Sequence, residues 1–294
     1  MKLKRYSDKP ILSPIPDHPW ESVSVFNCSV VYDGILFHML YRAADSADKS
    51  KFISSFGYAQ STDGHDFIRL DKPVFTGVGE QEKRGVEDPR ITKFDDKYYI
   101  LYTGYSGKDV RICMATTKNF ITYERKGVFF DEKDNKDAAL FPEKVNGNYV
   151  LLNRRMPDIY LSFSKDLKEW SENKLLMQIV KNSWQSFKIG INGGPLKTEH
   201  GWLLFYHGVD KKKVYRLGLA LLDLNDPAKV LKRYDSFIME PELDWEKKGA
   251  VNNVVFSCCA LEYKEQYYIY YGGADTAIGL AFIEKKEVLN WLKR

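Results

Sequence analysis

The feature that most constrains the fold of this chain is a hairpin pattern that occurs five times. Each copy has a short strand, a tight polar turn and a strongly aromatic strand. The copies are SVVYDGILFHMLYRA (29–43), RITKFDDKYYILYTG (90–104), PEKVNGNYVLLNRR (142–155), GPLKTEHGWLLFYHG (194–208) and CALEYKEQYYIYYGG (259–273). Polar turns between β-branched or aromatic runs are typical of β-hairpins. The pattern therefore predicts an all-β protein built from repeated units.

A second, weaker pair of strands follows each hairpin, so that one unit has four strands. These pairs lie at 56–75, 111–130, 159–177 and 215–239, with a truncated copy at 277–289. Five four-stranded units predict a five-bladed β-propeller with a central axial pocket, and a β-sandwich of similar hairpins is the alternative. We expect one propeller domain over 1–294, with an extended N-terminal segment over 1–25 and a short C-terminal helix in KKEVLNWLKR.

The composition excludes several classes of partner and cofactor. The 44 Lys and Arg residues nearly balance 40 Asp and Glu residues, and no basic block stands out, which argues against a nucleic-acid partner. No apolar run is long enough to span a membrane, and the start MKLKRYSDKP lacks a signal peptide's apolar core, so we expect a cytoplasmic protein. The four cysteines and five histidines lack the spacings of a disulfide framework or a zinc site, so no metal is predicted.

Cationic residues recur at equivalent positions of the repeats. Three of the five aromatic strands end on Arg42, Arg154 or His207. If these are the inner strands of a propeller, the three side chains converge on one axial channel. Like charges brought together are costly unless an anion lies between them, so the pattern indicates an anion site. The alternative is that the arginines are solvated rim charges and the histidine is a packing residue.

The segments that connect the repeats add further polar groups. GVEDPR (85–90) contains Asp88, and Pro89 is expected to hold that carboxylate in an extended conformation. The same segment supplies Glu87 and Arg90, which either reach the pocket or pair with one another to orient the turn. Lys188 and Asp275 come from two glycine-containing segments further along the chain. Carboxylates and cations among aromatic side chains are what a sugar site needs, because sugars offer hydroxyls and CH faces.

These motifs resemble glycoside hydrolase family 130, the β-mannoside phosphorylases and their hydrolytic relatives, over essentially the whole chain. The matching segments are WESVSVFN (20–27), LYRA (40–43), STDG (61–64), GVEDPRI (85–91), KDAALFPEKVNGNY (136–149), SKDLKEW (164–170), GWLLFYHGV (201–209), LLDLNDPAKVLKR (221–233), NVVFS (253–257) and YYGGAD (270–275). The resemblance implies a five-bladed propeller. It also implies reversible, inverting phosphorolysis of β-mannosides to α-mannose 1-phosphate, with β-1,2-linked mannobiose or short mannans as substrates.

The resemblance also implies a role for each candidate residue. Asp88 matches the family's single catalytic carboxylate, the general acid. The substrate-binding set is Asn27, Arg42 and Asp275, with Glu87 and Arg90 beside the acid, and the phosphate-binding set is Arg154, Lys188 and His207. A phosphorylase needs only the acid, because phosphate is already a nucleophile, whereas an inverting hydrolase also needs a base for water.

The expected partners are a mannose-containing oligosaccharide and inorganic phosphate as co-substrate, with no other cofactor. The hydrolytic branch of the family lacks much of the cationic set, so the cations favour the phosphorylase. The alternatives are a β-mannoside hydrolase on the same fold and a non-catalytic carbohydrate-binding propeller. A homo-oligomer is compatible with the sequence.

Overall fold

The computed structural model describes residues 1–46, 48 and 51–293, and its strands form five antiparallel sheets, the blades of a five-bladed β-propeller. The chain begins with β1 (Lys4–Arg5). Blade 1 then comprises β2 (Ser24–Tyr32), β3 (Phe37–Ala44), β4 (Ser54–Ser61) and β5 (Ile68–Arg69). Blade 2 comprises β6 (Val86–Phe94), β7 (Lys97–Tyr105), β8 (Val110–Thr117) and β9 (Glu124–Phe130). Blade 3 comprises β10 (Asn135–Leu140), β11 (Tyr149–Arg155), β12 (Asp158–Ser164) and β13 (Lys174–Met177).

The last two blades have one additional short strand each. Blade 4 comprises β14 (Lys188–Ile191), β15 (Leu196–Thr198), β16 (Gly201–Val209), β17 (Tyr215–Leu222) and β18 (Val230–Arg233). Blade 5 comprises β19 (Val255–Ser257), β20 (Leu261–Tyr263), β21 (Gln266–Gly273) and β22 (Ala277–Glu284), together with β1. Helices are α1 (Asp244–Lys247), the predicted C-terminal helix α2 (Lys285–Leu292), and 3₁₀ turns at Pro19–Glu21 and Glu80–Glu82. None of the helices in the described ranges is long and apolar enough to cross a bilayer.

The aromatic strands lie second from the propeller axis, which corrects the sequence prediction that they are innermost. The strands that contact one another around the axis are β2, β6, β10, β14 and β19, and each pairs outward with an aromatic strand. Arg42, Arg154 and His207 therefore lie on second strands, at the ends nearest one mouth of the channel. The inner strands β2 and β6 begin before the first two hairpins and continue into their short first strands, whereas β10, β14 and β19 lie wholly before the hairpins that follow them.

The first strand of the chain completes the last blade. β1 pairs with β22 in the register Lys4↔Phe282 and Arg5↔Ala281, which makes it the outermost strand of blade 5. Leu12 forms a further bridge to Ile278. The fifth repeat looks truncated in the sequence because its outer strand comes from the opposite end of the chain. This pairing closes the ring without leaving a free edge on β22.

The hydrophobic core is divided among the interfaces between neighbouring blades. One cluster joins blades 4 and 5 through residues such as Phe205, Leu219 and Ile269, and four similar clusters fill the other interfaces. Each blade thus buries both of its faces against its neighbours. Polar side chains gather around one part of the axis.

Four of the five blades share a buried polar contact that we call the blade lock. Its tyrosine lies near the end of the second strand and donates its hydroxyl to a buried Glu or Gln from the segment that leads into the blade. The pairs are Tyr41 with Glu21 (2.9 Å), Tyr102 with Glu82 (2.6 Å), Tyr206 with Gln185 (3.0 Å) and Tyr271 with Glu246 (2.8 Å). An arginine of the outermost strand completes each lock: Arg69, Arg125, Arg233 and Arg5, in the same order. The lock therefore ties the inner, second and outer parts of a blade together.

Blade 3 replaces the lock with a network of amides. Asn153 occupies the position of the lock tyrosine, where it accepts a hydrogen bond from Asn135 at 2.9 Å and donates one to Asn173 at 3.0 Å. Among the described residues, the network includes no arginine of the outer strand β13. The blade whose lock differs is the one that contributes Arg154 and the residues beside it to the axis.

Candidate active site

A polar cavity of about 120 Å³ lies on the propeller axis. Its walls are Asn27, Arg42, Asp88, Lys136, Asp137, Arg154, Lys188, Tyr215, Val254, Phe256 and Asp275. Six of the nine predicted site residues are in this wall, although they come from six separate stretches of the sequence. A larger, mainly apolar cavity of about 290 Å³, lined by residues such as Val30, Ile91 and Leu261, contains none of the nine. The structure thus brings most of the predicted site together in one place.

Three innermost strands carry the same irregularity where they reach this cavity. The pairing register shifts between Phe26 and Ser29, between Glu87 and Arg90, and between Lys136 and Ala139. At each shift one residue takes a left-handed backbone conformation: Asn27 (φ 47°), Asp88 (φ 54°) and Asp137 (φ 54°). A β-bulge re-aims a side chain, and Asn and Asp tolerate this conformation better than most residues do. We refer to these three as the bulge residues.

The conformation of Asp88 corrects the prediction made from Pro89. A residue before proline is usually extended, but the φ of Asp88 is 54°, in the left-handed region. The bulge requires this conformation, and contacts across the axis support it. Asn27 Nδ2 donates to Asp88 Oδ1 at 2.9 Å, and Arg42 Nη1 donates to the same oxygen at 3.2 Å. Tertiary contacts therefore override the local preference.

The surroundings of Asp88 favour its charged, carboxylate form. Burial raises its pKa, but Arg42, Lys136 and Arg90 lower it by more, and the net pKa lies below the usual value. Lys136 Nζ is 4.0 Å from Asp88 Oδ2. The cations around this carboxylate therefore outweigh its burial. A proton reaches this group only when something offsets those cations.

Glu87 and Arg90 lie behind the cavity wall, where each has a partner other than its neighbour. Glu87 accepts a hydrogen bond from Arg42 Nη2 at 2.8 Å and approaches Lys136 Nζ at 3.3 Å. Arg90 donates to Asp137 Oδ1 at 3.2 Å and to the carbonyl oxygens of Asp88, Ile191 and Asn192. The local Glu87–Arg90 pair expected from the sequence is therefore wrong. Both residues support cavity-lining side chains.

The predicted phosphate-binding residues are adjacent but differ in access to the cavity. Arg154 and Lys188 line it, whereas His207 is fully buried behind it, beside the rings of Phe256 and Tyr215. Burial and the charge of Arg154 together lower the pKa of Lys188 to about 7, although Asp137 acts in the opposite direction. Burial also lowers the pKa of His207 well below its usual value. The free site thus contains a neutral histidine and a lysine that titrates near neutrality.

Five residues of the cavity wall were not predicted from the sequence: Lys136, Asp137, Tyr215, Val254 and Phe256. A signal existed for the first two. Lys136 and Asp137 lead into the third repeat just as Phe26-Asn27 and Glu87-Asp88 lead into the first two, so aligning the leading segments would have found them. Tyr215 is on β17, the third strand of blade 4 from the axis. The repeat pattern did not indicate that a residue of a third strand would reach the cavity.

Several buried polar atoms at the axis have no hydrogen-bond partner within the described residues. They include Asn27 Oδ1, both ring nitrogens of His207, and Asp137 Oδ2 and Arg154 Nε, which form an ion pair with each other at 3.0 Å but no hydrogen bond. Buried polar atoms are nearly always hydrogen-bonded, so a cluster of exceptions indicates a site that a polar ligand completes. Donors and acceptors both remain, which suits a ligand with hydroxyls and anionic oxygens.

Comparison with known proteins agrees with this geometry. The sequence model of glycoside hydrolase family 130, described as β-1,4-mannooligosaccharide phosphorylase, matches residues 3–294. A 1,2-β-oligomannan phosphorylase of Thermoanaerobacter sp. (strain X514) is 53% identical over 294 residues, covering 98% of this chain and 99% of the relative. A β-1,2-mannobiose phosphorylase of the same organism is 54% identical over 299 residues, with the same coverage.

A solved structure gives the same result. The β-1,2-mannobiose phosphorylase of Listeria innocua, in complex with β-1,2-mannobiose, superposes with a TM-score of 0.92 at 30% identity, covering 100% of this chain and 99% of that one. The family match spans nearly the whole sequence, and two relatives exceed half identity over nearly their full length. This chain belongs to glycoside hydrolase family 130.

Proposed function

We propose that this protein is an inverting phosphorylase of β-1,2-linked mannobiose and short β-1,2-mannooligosaccharides. The observation that carries the proposal is one cavity in which Asp88, held by Asn27 and Arg42, faces the same space as the cations Arg154 and Lys188. The two relatives named for β-1,2 linkages are 53% and 54% identical to this chain, whereas the β-1,4-mannooligosaccharide phosphorylase of Ruminococcus albus is 32% identical. This difference supports a β-1,2 linkage in the substrate.

In this mechanism Asp88 is the general acid and phosphate is the nucleophile. Asn27, Arg42 and Asp275 hold the mannose whose bond is cleaved, and Arg154 and Lys188 hold phosphate on the other face of that sugar. The guanidinium of Arg154 can grip two phosphate oxygens, and the Lys188 ammonium adds a compact charge. Direct displacement inverts the anomeric carbon and gives α-mannose 1-phosphate. A proton passes to the departing sugar oxygen, directly or through a mannose hydroxyl.

Binding of the mannoside and phosphate favours the protonated form of Asp88. Sugar hydroxyls compete for the Arg42 and Asn27 contacts that now hold the carboxylate charged, and bound phosphate adds negative charge near Lys136. Both changes raise the pKa of Asp88, because that pKa is now depressed by Arg42 and Lys136. Asp88 is therefore protonated, and able to act as the acid, only when the mannoside and phosphate are bound.

The remaining carboxylate of the anion site is poorly suited to act as the base of a hydrolase. Burial raises the pKa of Asp137, but Arg154 and Arg90 outweigh burial and the net pKa is far below the usual range. A carboxylate with so low a pKa has little tendency to take a proton from water. This favours phosphate over water as the attacking group.

A second cavity, of about 160 Å³, is placed to receive the departing sugar. It shares Arg42 and Asp275 with the axial cavity and is otherwise lined mainly by apolar groups, including Phe26, Phe52 and Val251. The Arg42 guanidinium carbon lies 4.7 Å from the centre of the Phe26 ring. Aromatic faces beside hydrogen-bonding groups suit the CH face and the hydroxyls of a second mannose.

The proposal is tested by incubating the protein with β-1,2-mannobiose with and without phosphate. We expect consumption only with phosphate, and proton NMR should identify the first-formed sugar phosphate as the α anomer. β-1,4-Mannobiose serves as the matched control and should react far more slowly. Phosphate-independent release of mannose would identify a hydrolase, and the absence of any product would leave a carbohydrate-binding propeller.

A further inference from the structure

The third bulge residue, Asp137, has no role in the reaction described above. Asn27 and Asp88 occupy the same irregularity on neighbouring blades, and both point a polar group into the cavity. Asp137 shares their left-handed backbone and also lines the cavity, yet only 1% of it is exposed. The same strained backbone conformation occurs at three equivalent points of one site. This indicates that each of the three side chains has a function in the site.

Asp137 approaches three basic residues, Arg90, Arg154 and His207. Its Oδ1 accepts a hydrogen bond from Arg90 Nη2 at 3.2 Å, and that arginine is fixed from behind by backbone carbonyls. Its Oδ2 lies 3.0 Å from Arg154 Nε and 3.7 Å from His207 Nε2. The carboxylate thus links Arg90, which is held rigidly, to Arg154 and His207, which belong to the predicted phosphate-binding set.

The fold keeps a space clear for this contact. Gly190 pairs with His207 in the sheet of blade 4, and a Cβ added at Gly190 would lie 2.6 Å from both Asp137 Oδ2 and His207 Cε1. A side chain at this position would push the carboxylate and the imidazole apart. Glycine therefore permits an approach that the sheet would otherwise prevent.

We propose that Asp137 is a positioning residue of the anion site, where it holds Arg154 and His207 in the arrangement that receives phosphate. The proposal rests on the proposed function for the identity of the anion. A carboxylate suits the role better than an amide, because Arg90, Lys136 and Arg154 would repel one another without a negative charge between them. The side chain acts through Arg154 and need not touch the reacting atoms.

Asp137 also influences the charge of Lys188. The charged groups that face this lysine are Arg154 on β11, Asp137 and Lys136 on β10, and Lys213 on the loop after β16. The Tyr215 ring lies 4.9 Å from its ammonium. Asp137 is the one group among these charges that favours the protonated lysine, so neutralising it should make Lys188 lose its proton at lower pH.

The test is the substitution Asp137→Asn, with Asp158→Asn as the matched control. Asp158 is a buried aspartate of the same blade that accepts a hydrogen bond from the backbone of Ile179, away from the axis. We expect Asp137→Asn to weaken sulfate binding, measured by calorimetry, by about 10-fold or more, the scale of one charge-assisted hydrogen bond. In turnover, KM for phosphate should rise similarly, while kcat at saturating phosphate and KM for mannobiose change less than about threefold.

Two further measurements separate positioning from a general structural defect. The alkaline limit of sulfate binding should move to lower pH in Asp137→Asn and stay in place in Asp158→Asn. Gly190→Ala leaves every charge intact and should still weaken sulfate binding, which keeps the proposal testable if Asp137→Asn does not fold. Unchanged or tighter sulfate binding in either axial variant would overturn the proposal. Sulfate binding in a wild type that lacks phosphorolysis would instead contradict only the proposed function.

Discussion

The blade locks and the axial site bury the same chemical groups but differ in how completely those groups are paired. In the blade 5 lock, Glu246 accepts hydrogen bonds from Arg5, Tyr271 and two backbone amides. At the axis, Asp137 faces two arginines, yet its Oδ2 has no hydrogen-bond partner in the described chain. A buried charge that is fully hydrogen-bonded stabilises one conformation, whereas one left incomplete is available to a ligand. The comparison separates buried ion pairs that maintain the fold from those that serve the reaction.

The largest effect on activity is expected from Asp88→Asn. The amide keeps the size of the side chain and its contact with Asn27, but it cannot supply a proton. Turnover should fall by about 10²–10⁴-fold, the usual contribution of general acid catalysis. Sugar binding and the melting temperature should change little. A near wild-type rate would move the acid to another carboxylate of the cavity, Asp275 being the first to test.

The largest effect on stability is expected in a lock. Glu246→Ala leaves Arg5 and the Tyr271 hydroxyl without their buried acceptor, and breaking a buried pair in this way costs about 3–5 kcal/mol. Glu242→Ala is the matched control, because Glu242 pairs with the same arginine at 2.7 Å but its side chain is 63% exposed. The control should cost about 1 kcal/mol or less. Denaturant unfolding gives both values, and equal losses in the two variants would show that burial does not distinguish the lock.

A smaller effect, confined to phosphate, is expected for Lys188→Met. One charge-assisted contact is typically worth about 1.5–3 kcal/mol, so KM for phosphate should rise by roughly 10-fold to 150-fold with stability nearly unchanged. Lys213→Met removes a nearby exposed lysine and should leave KM almost unaltered. A drop in melting temperature without a change in KM would assign Lys188 to the fold rather than to the anion site.

Replacing His207 should have a weaker effect on phosphate than replacing Lys188. The ring is fully buried and reaches the site through Asp137, 3.7 Å from its Nε2. His207→Gln keeps a polar side chain in that space, and KM for phosphate should rise only a few-fold. A phosphate defect larger than that of Lys188→Met would mean that the imidazole itself contacts the anion.

The smallest effect is a pH dependence of anion binding. Because the pKa of Lys188 is about 7 in the free site, the lysine is protonated below this pH and increasingly neutral above it. An anion raises that pKa, so binding above pH 7 takes up a proton, and uptake should approach one per site by about pH 8.5. Sulfate is the better probe because it does not titrate in this range. Calorimetry in two buffers of different ionisation enthalpy measures the uptake, which should disappear in Lys188→Met.

The repeat pattern was enough to predict the propeller, because hairpins are local and each carries its own turn residues and aromatic strand. The order of strands within a blade was not predictable in the same way. It depends on which strands meet around the axis, and those contacts join residues far apart in sequence. The inner strand of blade 4, for example, is interrupted between β14 and β15, and its leading part, which begins at Lys188, has little of the hairpin pattern.

The site was predicted where a residue type alone carried the signal and missed where backbone geometry did. Arg42, Arg154 and Asp88 are charged groups in segments that resemble a known family, and the structure places all three in the cavity wall. Asp137 is equally central, but its position depends on a bulge and a left-handed φ, and only an alignment of the segments that lead into the repeats would have indicated it. Pro89 even favoured the opposite conformation for Asp88. Long-range contacts decide these angles.

The pairing of β1 with β22 has a consequence for how the protein is made. Arg5 reaches its lock partner Glu246 across 241 positions of sequence, and β1 leaves the ribosome long before β22 exists to receive it. Four blades can assemble as they are synthesised, but the fifth must wait for the beginning and the end of the chain to meet. Contacts with so large a sequence separation are slow to form. Ring closure is therefore expected to be the last event of folding, and the axial site, which takes residues from both sides of that seam, forms only when the ring is complete.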